Sequence, residues 1–169
     1  MRVYTISDIT SIQETENIDN INIFYQYFID ENNDRQIEIQ KCLKYNVNNS
    51  CINNIYLLNE RIYTEEELSI SSNKIIQIDI QKRLQFKDIF EYINLNNITG
   101  YNVIINADIF FDETIKNLFK SDIHINKKMY ALLRYDCTDE NNIENSELFG
   151  DRSDSQDTWI IHSNFSIGK

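Results

Sequence analysis

The sequence contains no proline, only three glycines and only three cysteines among its 169 residues. The glycines, Gly100, Gly150 and Gly168, are far apart, so the chain lacks the glycine-rich loop that surrounds phosphate in many nucleotide-binding proteins. The odd number and unrelated spacing of the cysteines are typical neither of a zinc site nor of a set of disulfides. We interpret them as reduced thiols of a cytoplasmic protein.

Long apolar runs and positive charges are also scarce. No stretch approaches the roughly 18 uncharged apolar residues that a membrane span requires, and the opening MRVYTISDIT does not have the form of a signal peptide. The formal net charge of -11 would repel the phosphate backbone of a nucleic acid. The composition therefore predicts a protein with no membrane span and no nucleic-acid partner, in which local cations or a metal ion must meet any anionic ligand.

Short β-branched and aromatic segments alternate with segments of helical periodicity. The former predict strands at 21–29, 54–58, 74–80, 101–105 and 129–134, with a further short strand at 1–6. The latter predict helices at 35–45, 84–95 and 113–119, with Thr64 and Asp112 as helix caps. This alternation favours one α/β domain over residues 1–169, Rossmann-like, with a mostly parallel central sheet flanked by helices.

The most informative segment is YNVIINADIFFD, residues 101–112, in which a buried strand runs directly into Asn106 and Asp108. Ligands of such sheets bind at the carboxyl ends of the strands. A carboxylate there would suit Mg²⁺ or Mn²⁺, which take oxygen ligands from one or two carboxylates and from substrate phosphates. The alternative is an ordinary polar turn; we prefer the metal for Asp108 and a helix cap for Asp112.

NADIFFD, residues 106–112, resembles the metal-binding motif of a group of small GT-A glycosyltransferases found in bacteria and large DNA viruses. RLQFKDIFEYIN, residues 83–94, resembles the arginine-led helix before that motif, and ALLRYD, residues 131–136, resembles the strand after it. SQDTW, residues 155–159, resembles a motif near the acceptor. These segments have the expected order and, with the first core strand, span residues 23–161.

The resemblance implies a nucleotide-diphosphate-sugar donor, usually of the uridine series, a glycan or glycoconjugate acceptor, and Mn²⁺ or Mg²⁺ as cofactor. It also suggests a viral protein acting in the host cytoplasm. Asp108 matches the aspartate that contacts the metal, whereas Asn106 replaces the first aspartate of the more general motif. Tyr25 and Gln26 match the region that frames the nucleotide base. The asparagine leaves fewer charged ligands, so metal affinity is expected to depend partly on the donor.

Two cations are candidates for the donor diphosphate. Arg83 and Lys87 are spaced one helical turn apart and could face the phosphates together. Their alternative is a solvated helix face, which for Lys87 we weigh equally.

Asp157 is the candidate catalytic base, because an inverting transfer needs a carboxylate to take the proton of the acceptor hydroxyl. Trp159 lies beside it and could support the face of an acceptor sugar. Arg134 is assigned to the donor and Asp136 to the acceptor, although the two could equally form an internal ion pair. His162 is a candidate late metal ligand, with a structural histidine as the alternative.

Two other functions compete with this assignment. A sugar nucleotidyltransferase would share the architecture and the metal carboxylate, but the missing glycine-rich loop counts against it. A degenerate glycosyltransferase-like module that binds a glycan or a partner is kept open by Asn106. The transferred sugar, the acceptor and the stereochemical outcome are open at this point, as is whether the chain is the N-terminal domain of a longer protein.

Overall fold

The computed structural model describes residues 2–4, 20–137, 142–150 and 156–165. Six strands form its main sheet: β2 (Ile21–Tyr25), β3 (Asn54–Asn59), β4 (Ile75–Asp79), β5 (Tyr101–Ile105), β7 (Tyr130–Leu132) and β10 (Thr158–His162). Their order across the sheet is β4-β3-β2-β5-β10-β7. Strands β2 to β5 are parallel, while β10 runs antiparallel between β5 and β7. The predicted α/β class with a mostly parallel sheet is confirmed.

Helices cover both faces of the main sheet. They are α1 (Asn33–Asn48), α2 (Glu65–Leu68), α3 (Phe86–Leu95) and α4 (Ile123–Asn126), with 3-10 helices at Glu113–Lys120 and Ile143–Asn145. Because side chains alternate across a strand, Ile23 of β2 packs in one apolar layer with Leu43 of α1. Its neighbour Phe24 packs in the other layer with Ile89 of α3.

Four short strands form a second, smaller sheet. It contains β6 (Ile109–Phe111), β1 (Arg2–Tyr4), β8 (Tyr135–Asp136) and β9 (Glu147–Leu148), in the order β6-β1-β8-β9. The short strand at the start of the chain is confirmed. The sheet itself was not predicted, because strands of two or three residues are too short to show a periodic signal.

Several predicted boundaries differ from the structure for identifiable reasons. Strand β2 ends at Tyr25 instead of residue 29, because the backbone N–H of Tyr27 donates to the side chain of Asn59 at 2.9 Å and leaves the ladder. Helix α3 begins at Phe86, so Arg83 lies before the helix. Thr64 and Asp112 both cap helices as expected, Thr64 within a capping box.

The fully buried Asn46 joins helix α1 to strand β6. Its side-chain nitrogen donates to the carbonyl of Ile109 at 2.8 Å, and its oxygen accepts from the N–H of Phe111 at 3.1 Å. One amide thus satisfies two backbone groups of the strand that follows Asp108, and so it helps to hold that segment in place.

We predict that Asn46→Ala lowers the free energy of unfolding by about 2 to 4 kcal/mol, because it leaves two buried backbone groups unpaired. Asn48→Ala, at an exposed asparagine of the same helix, is the control and should change stability by less than about 0.5 kcal/mol. Urea denaturation of the three proteins measures both. Equal midpoints would mean that the Asn46 bonds contribute nothing to stability.

Candidate functional site

A cavity of about 510 Å³ lies at the carboxyl ends of the parallel strands. From β2 the chain adds β3 and β4 on one side, then returns to place β5 on the other side of β2. Such a reversal opens a crevice beyond the carboxyl ends of the two strands, where open α/β sheets bind their ligands. Its polar lining comes from the segments that follow β2, β3, β4 and β5 and from the first turn of α1: Gln26, Arg35, Glu60, Arg83, Asn106 and Asp108.

Asp108 is paired with an arginine that sequence reasoning missed. Its side chain is only 1% exposed, and its Oδ2 accepts from Nη2 of Arg35 at 2.9 Å. Nη1 of Arg35 donates to Oε2 of Glu38 at 2.7 Å. Burial disfavours the charged guanidinium, but the hydrogen bond to Glu38 and the charge of Asp108 outweigh it and raise the pKa of Arg35. The available signal was position: a helix that follows β2 begins at the sheet edge where Asp108 lies.

Asp157 directly precedes β10 and lies at the carboxyl end of β5, because the two strands are antiparallel. Strand β10 pairs with β5 so that Thr158 lies opposite Ile105. Asp157 is therefore next to Asn106, whose Nδ2 donates to Asp157 Oδ1 at 3.0 Å. The structure thus brings together Asn106 and Asp157, which are far apart in sequence.

Arg134 holds the other side of the Asp157 carboxylate. Its Nη1 donates to Asp157 Oδ2 at 2.8 Å, and its Nε donates to Asp136 Oδ1 at 3.1 Å. The guanidinium lies 3.5 Å above the ring of Phe149. The ion pair between Arg134 and Asp136, which the sequence left as an alternative, is therefore present. Arg134 forms a second ion pair with Asp157.

Gln26 lines the cavity and fixes the segment that carries Arg83. Its Oε1 accepts from the N–H of Leu84 at 3.2 Å, and its Nε2 donates to the carbonyl of Lys82 at 3.5 Å. Arg83 is exposed and borders the cavity, and no ion pair involving it occurs among the described residues. A cation is thus held at the mouth of the cavity.

Two residues expected at the donor lie elsewhere. Tyr25 is 1% exposed and packs in the apolar layer of α1, so its ring does not border the cavity. Alternation along β2 explains this, since Tyr25 and Gln26 project on opposite sides. Lys87 is exposed on α3, 3.5 Å from Glu91, and it does not share a helical turn with Arg83. Lys87 therefore lies on a solvated helix face, which was the alternative interpretation of this residue.

His162 lies at the far end of the sheet from Asp108. It pairs with Tyr101, the first residue of β5, whereas Asp108 follows the last residue of that strand. Four residue steps of a strand span about 13 Å, so the two side chains cannot share one metal ion. The expected role of His162 in that metal shell is therefore corrected. Its ring packs instead against Tyr101 at 4.9 Å and His124 at 5.8 Å between centroids.

Trp159 is partly buried on the α3 side of the main sheet. Its ring meets that of Phe86 edge to face at 4.9 Å between centroids. Phe86 is 48% exposed and begins α3, a short distance after Arg83 and Leu84 of the cavity wall. The assignment of Trp159 to the acceptor stays a prediction.

The described part of the site offers one carboxylate and one amide to a metal ion. Among the described residues there is no group of three or more histidine, cysteine, aspartate or glutamate side chains that could hold a metal. Asp108 offers one buried carboxylate on the cavity wall, with the Asn106 amide two residues before it. That donor set fits a hard cation that completes its shell with water and phosphate oxygens, as Mg²⁺ commonly does.

No family model, no curated protein and no solved structure matches the chain. Within the described ranges, no helix is both long enough and apolar enough to cross a membrane.

The position of Tyr25 makes a prediction about stability. Among the described residues its buried hydroxyl has no hydrogen-bond partner, and burial raises its pKa well above the usual value, so the phenol stays neutral. Tyr25→Phe should therefore leave the free energy of unfolding unchanged or raise it by about 1 kcal/mol.

Tyr27→Phe is the matched control, because the hydroxyl of Tyr27 donates to the carbonyl of Glu67 at 2.7 Å and accepts from Gln36 at 2.8 Å. It should lower stability by about 1 to 2 kcal/mol. Urea denaturation compares the two variants. An equal loss in both would show that the Tyr25 hydroxyl is hydrogen-bonded in solution.

Proposed function

We propose that this chain is a GT-A-type glycosyltransferase that transfers a sugar from a nucleotide-diphosphate-sugar, expected to be a uridine nucleotide, to a hydroxyl of a glycan. One observation carries the proposal. Two nearly buried carboxylates, Asp108 and Asp157, lie at the carboxyl end of β5. Asp108 lines a cavity with two arginines in its wall, and Asp157 is hydrogen-bonded to Asn106 of the same wall. Asn106 of the NADIFFD motif and Asp157 of the SQDTW motif thus meet at the carboxyl end of β5, although they are far apart in sequence.

The charges of the cavity support an anionic donor. The chain carries a formal net charge of -11, yet Arg35 and Arg83 both border the cavity. Guanidinium groups bind phosphate oxygens through paired hydrogen bonds. A volume of about 510 Å³ lies within the usual range of roughly 300 to 1,000 Å³ for small-molecule sites. The diphosphate would lie between the two arginines, with Gln26 holding the segment of Arg83.

Asp108 is the residue that would hold Mn²⁺ or Mg²⁺, with Asn106 beside it. When bound, such an ion stabilises the negative charge that develops on the departing diphosphate. The protein supplies a buried carboxylate in a fixed position for this purpose, because α1 and strand β6 pack around it.

Asp157 would act as general base. The acceptor hydroxyl oxygen forms a bond to the anomeric carbon, its proton passes to Asp157, and the bond from that carbon to the phosphate oxygen breaks, with its electron pair leaving on the diphosphate. Each carboxylate oxygen of Asp157 accepts one hydrogen bond, from Asn106 and from Arg134. Because a carboxylate oxygen can accept two, a site for the proton remains. This arrangement supports an inverting transfer.

A specific observation favours a second candidate, a catalytically inert module that binds a glycan or a partner. Asp108 and Asp157 are each neutralised by an arginine, Arg35 and Arg134 respectively. Carboxylates in stable ion pairs need no metal and no substrate. Nucleotide binding separates the two candidates, because an inert module of this kind would bind glycan without binding the donor. A sugar nucleotidyltransferase has no comparable support.

We predict opposite effects for the two carboxylates. Asp108→Asn should weaken metal-dependent binding of uridine diphosphate by a factor of about ten or more, because it removes the charged ligand. Asp157→Asn should preserve that binding and reduce sugar transfer about a hundredfold or more, because the amide cannot take the proton. Calorimetry with and without Mn²⁺ measures binding, and release of uridine diphosphate from sugar donors in the presence of a glycan panel measures transfer.

The control is Asp79→Asn, at an exposed aspartate that ends the edge strand β4. It should change neither quantity. Normal metal-dependent binding by Asp108→Asn would exclude the metal role of Asp108. Binding of a glycan by the wild-type chain, without binding of any nucleoside diphosphate, would instead favour the inert module.

A further inference from the structure

The ion pair between Arg35 and Asp108 suggests how the cavity exchanges one cation for another. We propose that Arg35 competes with the divalent metal ion for the Asp108 carboxylate, and that the guanidinium released by the metal binds the diphosphate of the donor. The second half rests on the proposed function, whereas the first concerns only this chain and a metal ion. Arg35 thereby becomes a donor-binding residue with two alternative partners, the Asp108 carboxylate and the diphosphate.

Competition follows from the geometry of Asp108. Its Oδ2 accepts from Arg35 Nη2 at 2.9 Å, and its side chain is 1% exposed. A hard divalent ion binds a carboxylate oxygen at about 2.1 Å, closer than the guanidinium nitrogen lies. Two positive groups against one nearly buried carboxylate repel each other strongly, since the surrounding dielectric is low. Each cation therefore lowers the affinity of the Asp108 carboxylate for the other.

Arg35 remains in the cavity after it leaves Asp108. Its other terminal nitrogen, Nη1, donates to Glu38 at 2.7 Å, three residues further along the same helix. The side chain is 35% exposed and forms part of the cavity wall. A forked guanidinium held in this way can turn Nη2 toward an anion, and the phosphate oxygens of the donor are the complementary group.

The exchange makes metal and diphosphate binding mutually dependent. Metal alone must displace Arg35 without giving the guanidinium a new partner, so its affinity for the chain is low. The diphosphate supplies that partner and further ligands for the metal, so each raises the affinity of the other by the same factor. We therefore expect donor and metal to bind together.

The test compares wild type with Arg35→Gln in two calorimetric titrations. In the first, with Mn²⁺ alone, Arg35→Gln should bind about tenfold more tightly than wild type, because the competing cation is gone. In the second, with uridine diphosphate at saturating Mn²⁺, it should bind about tenfold more weakly, because the phosphate ligand is gone. Lys128→Gln is the control and should change neither affinity. Like Arg35→Gln, it removes a positive charge from an ion pair, here with Asp122 at 2.6 Å. Lys128 follows α4, and His124 of that helix contacts Tyr101 at the far end of the sheet from Asp108.

Two further variants keep the test decisive if Arg35→Gln alone is unstable. Arg35→Lys retains the charge and should keep the low affinity for Mn²⁺ alone. The double variant Arg35→Gln with Asp108→Asn removes the carboxylate together with the competing cation and should lose the gain in Mn²⁺ affinity.

Unchanged Mn²⁺ affinity in Arg35→Gln would overturn the competition. Unchanged diphosphate affinity would overturn the transfer of Arg35 to the donor. Failure of every nucleoside diphosphate to bind wild type would overturn the proposed function, while the titration with Mn²⁺ alone would still decide the competition.

Discussion

The register between β5 and β10 determines which side chains meet at the candidate site. Thr158 lies opposite Ile105 and His162 opposite Tyr101, so the residues before β10 reach the carboxyl end of β5. A slip of one residue would turn every side chain of β10 to the other face of the sheet. It would also separate Asp157 from Asn106. The antiparallel strand β10 thus brings a segment from late in the chain to the crevice at the carboxyl ends of the parallel strands.

Charge pairing is the second constraint on the site. Removing one partner of a buried ion pair typically costs about 3 to 5 kcal/mol, so Asp108 and Asp157 could not remain nearly buried without partners. Arg35 and Arg134 supply them from two different parts of the chain. The acidic composition therefore does not describe the site, where arginines and carboxylates balance.

Local patterns were sufficient to predict the elements whose residues interact with near neighbours. Strand β5 has the predicted bounds, and Thr64 forms the expected helix cap. Long-range pairing was not predictable in this way. The place of β10 between β5 and β7, the place of β1 between β6 and β8 and the contact of Arg35 with Asp108 all depend on partners more than 20 residues away. Tyr25 and Gln26 were both assigned to the donor. Side chains alternate where β2 ends, so only Gln26 faces the cavity, while Tyr25 packs in the apolar layer of α1.

Trp159 and the two histidines lie at opposite ends of the main sheet, so each end has its own spectroscopic reporter. Trp159 is the sole tryptophan of the chain, and it lies two residues after Asp157, against the residue that begins α3. The two histidines of the chain lie together at the opposite end. Tryptophan fluorescence will therefore respond to rearrangement near the cavity, while imidazole resonances will follow the far end. The unlabelled protein can report on both.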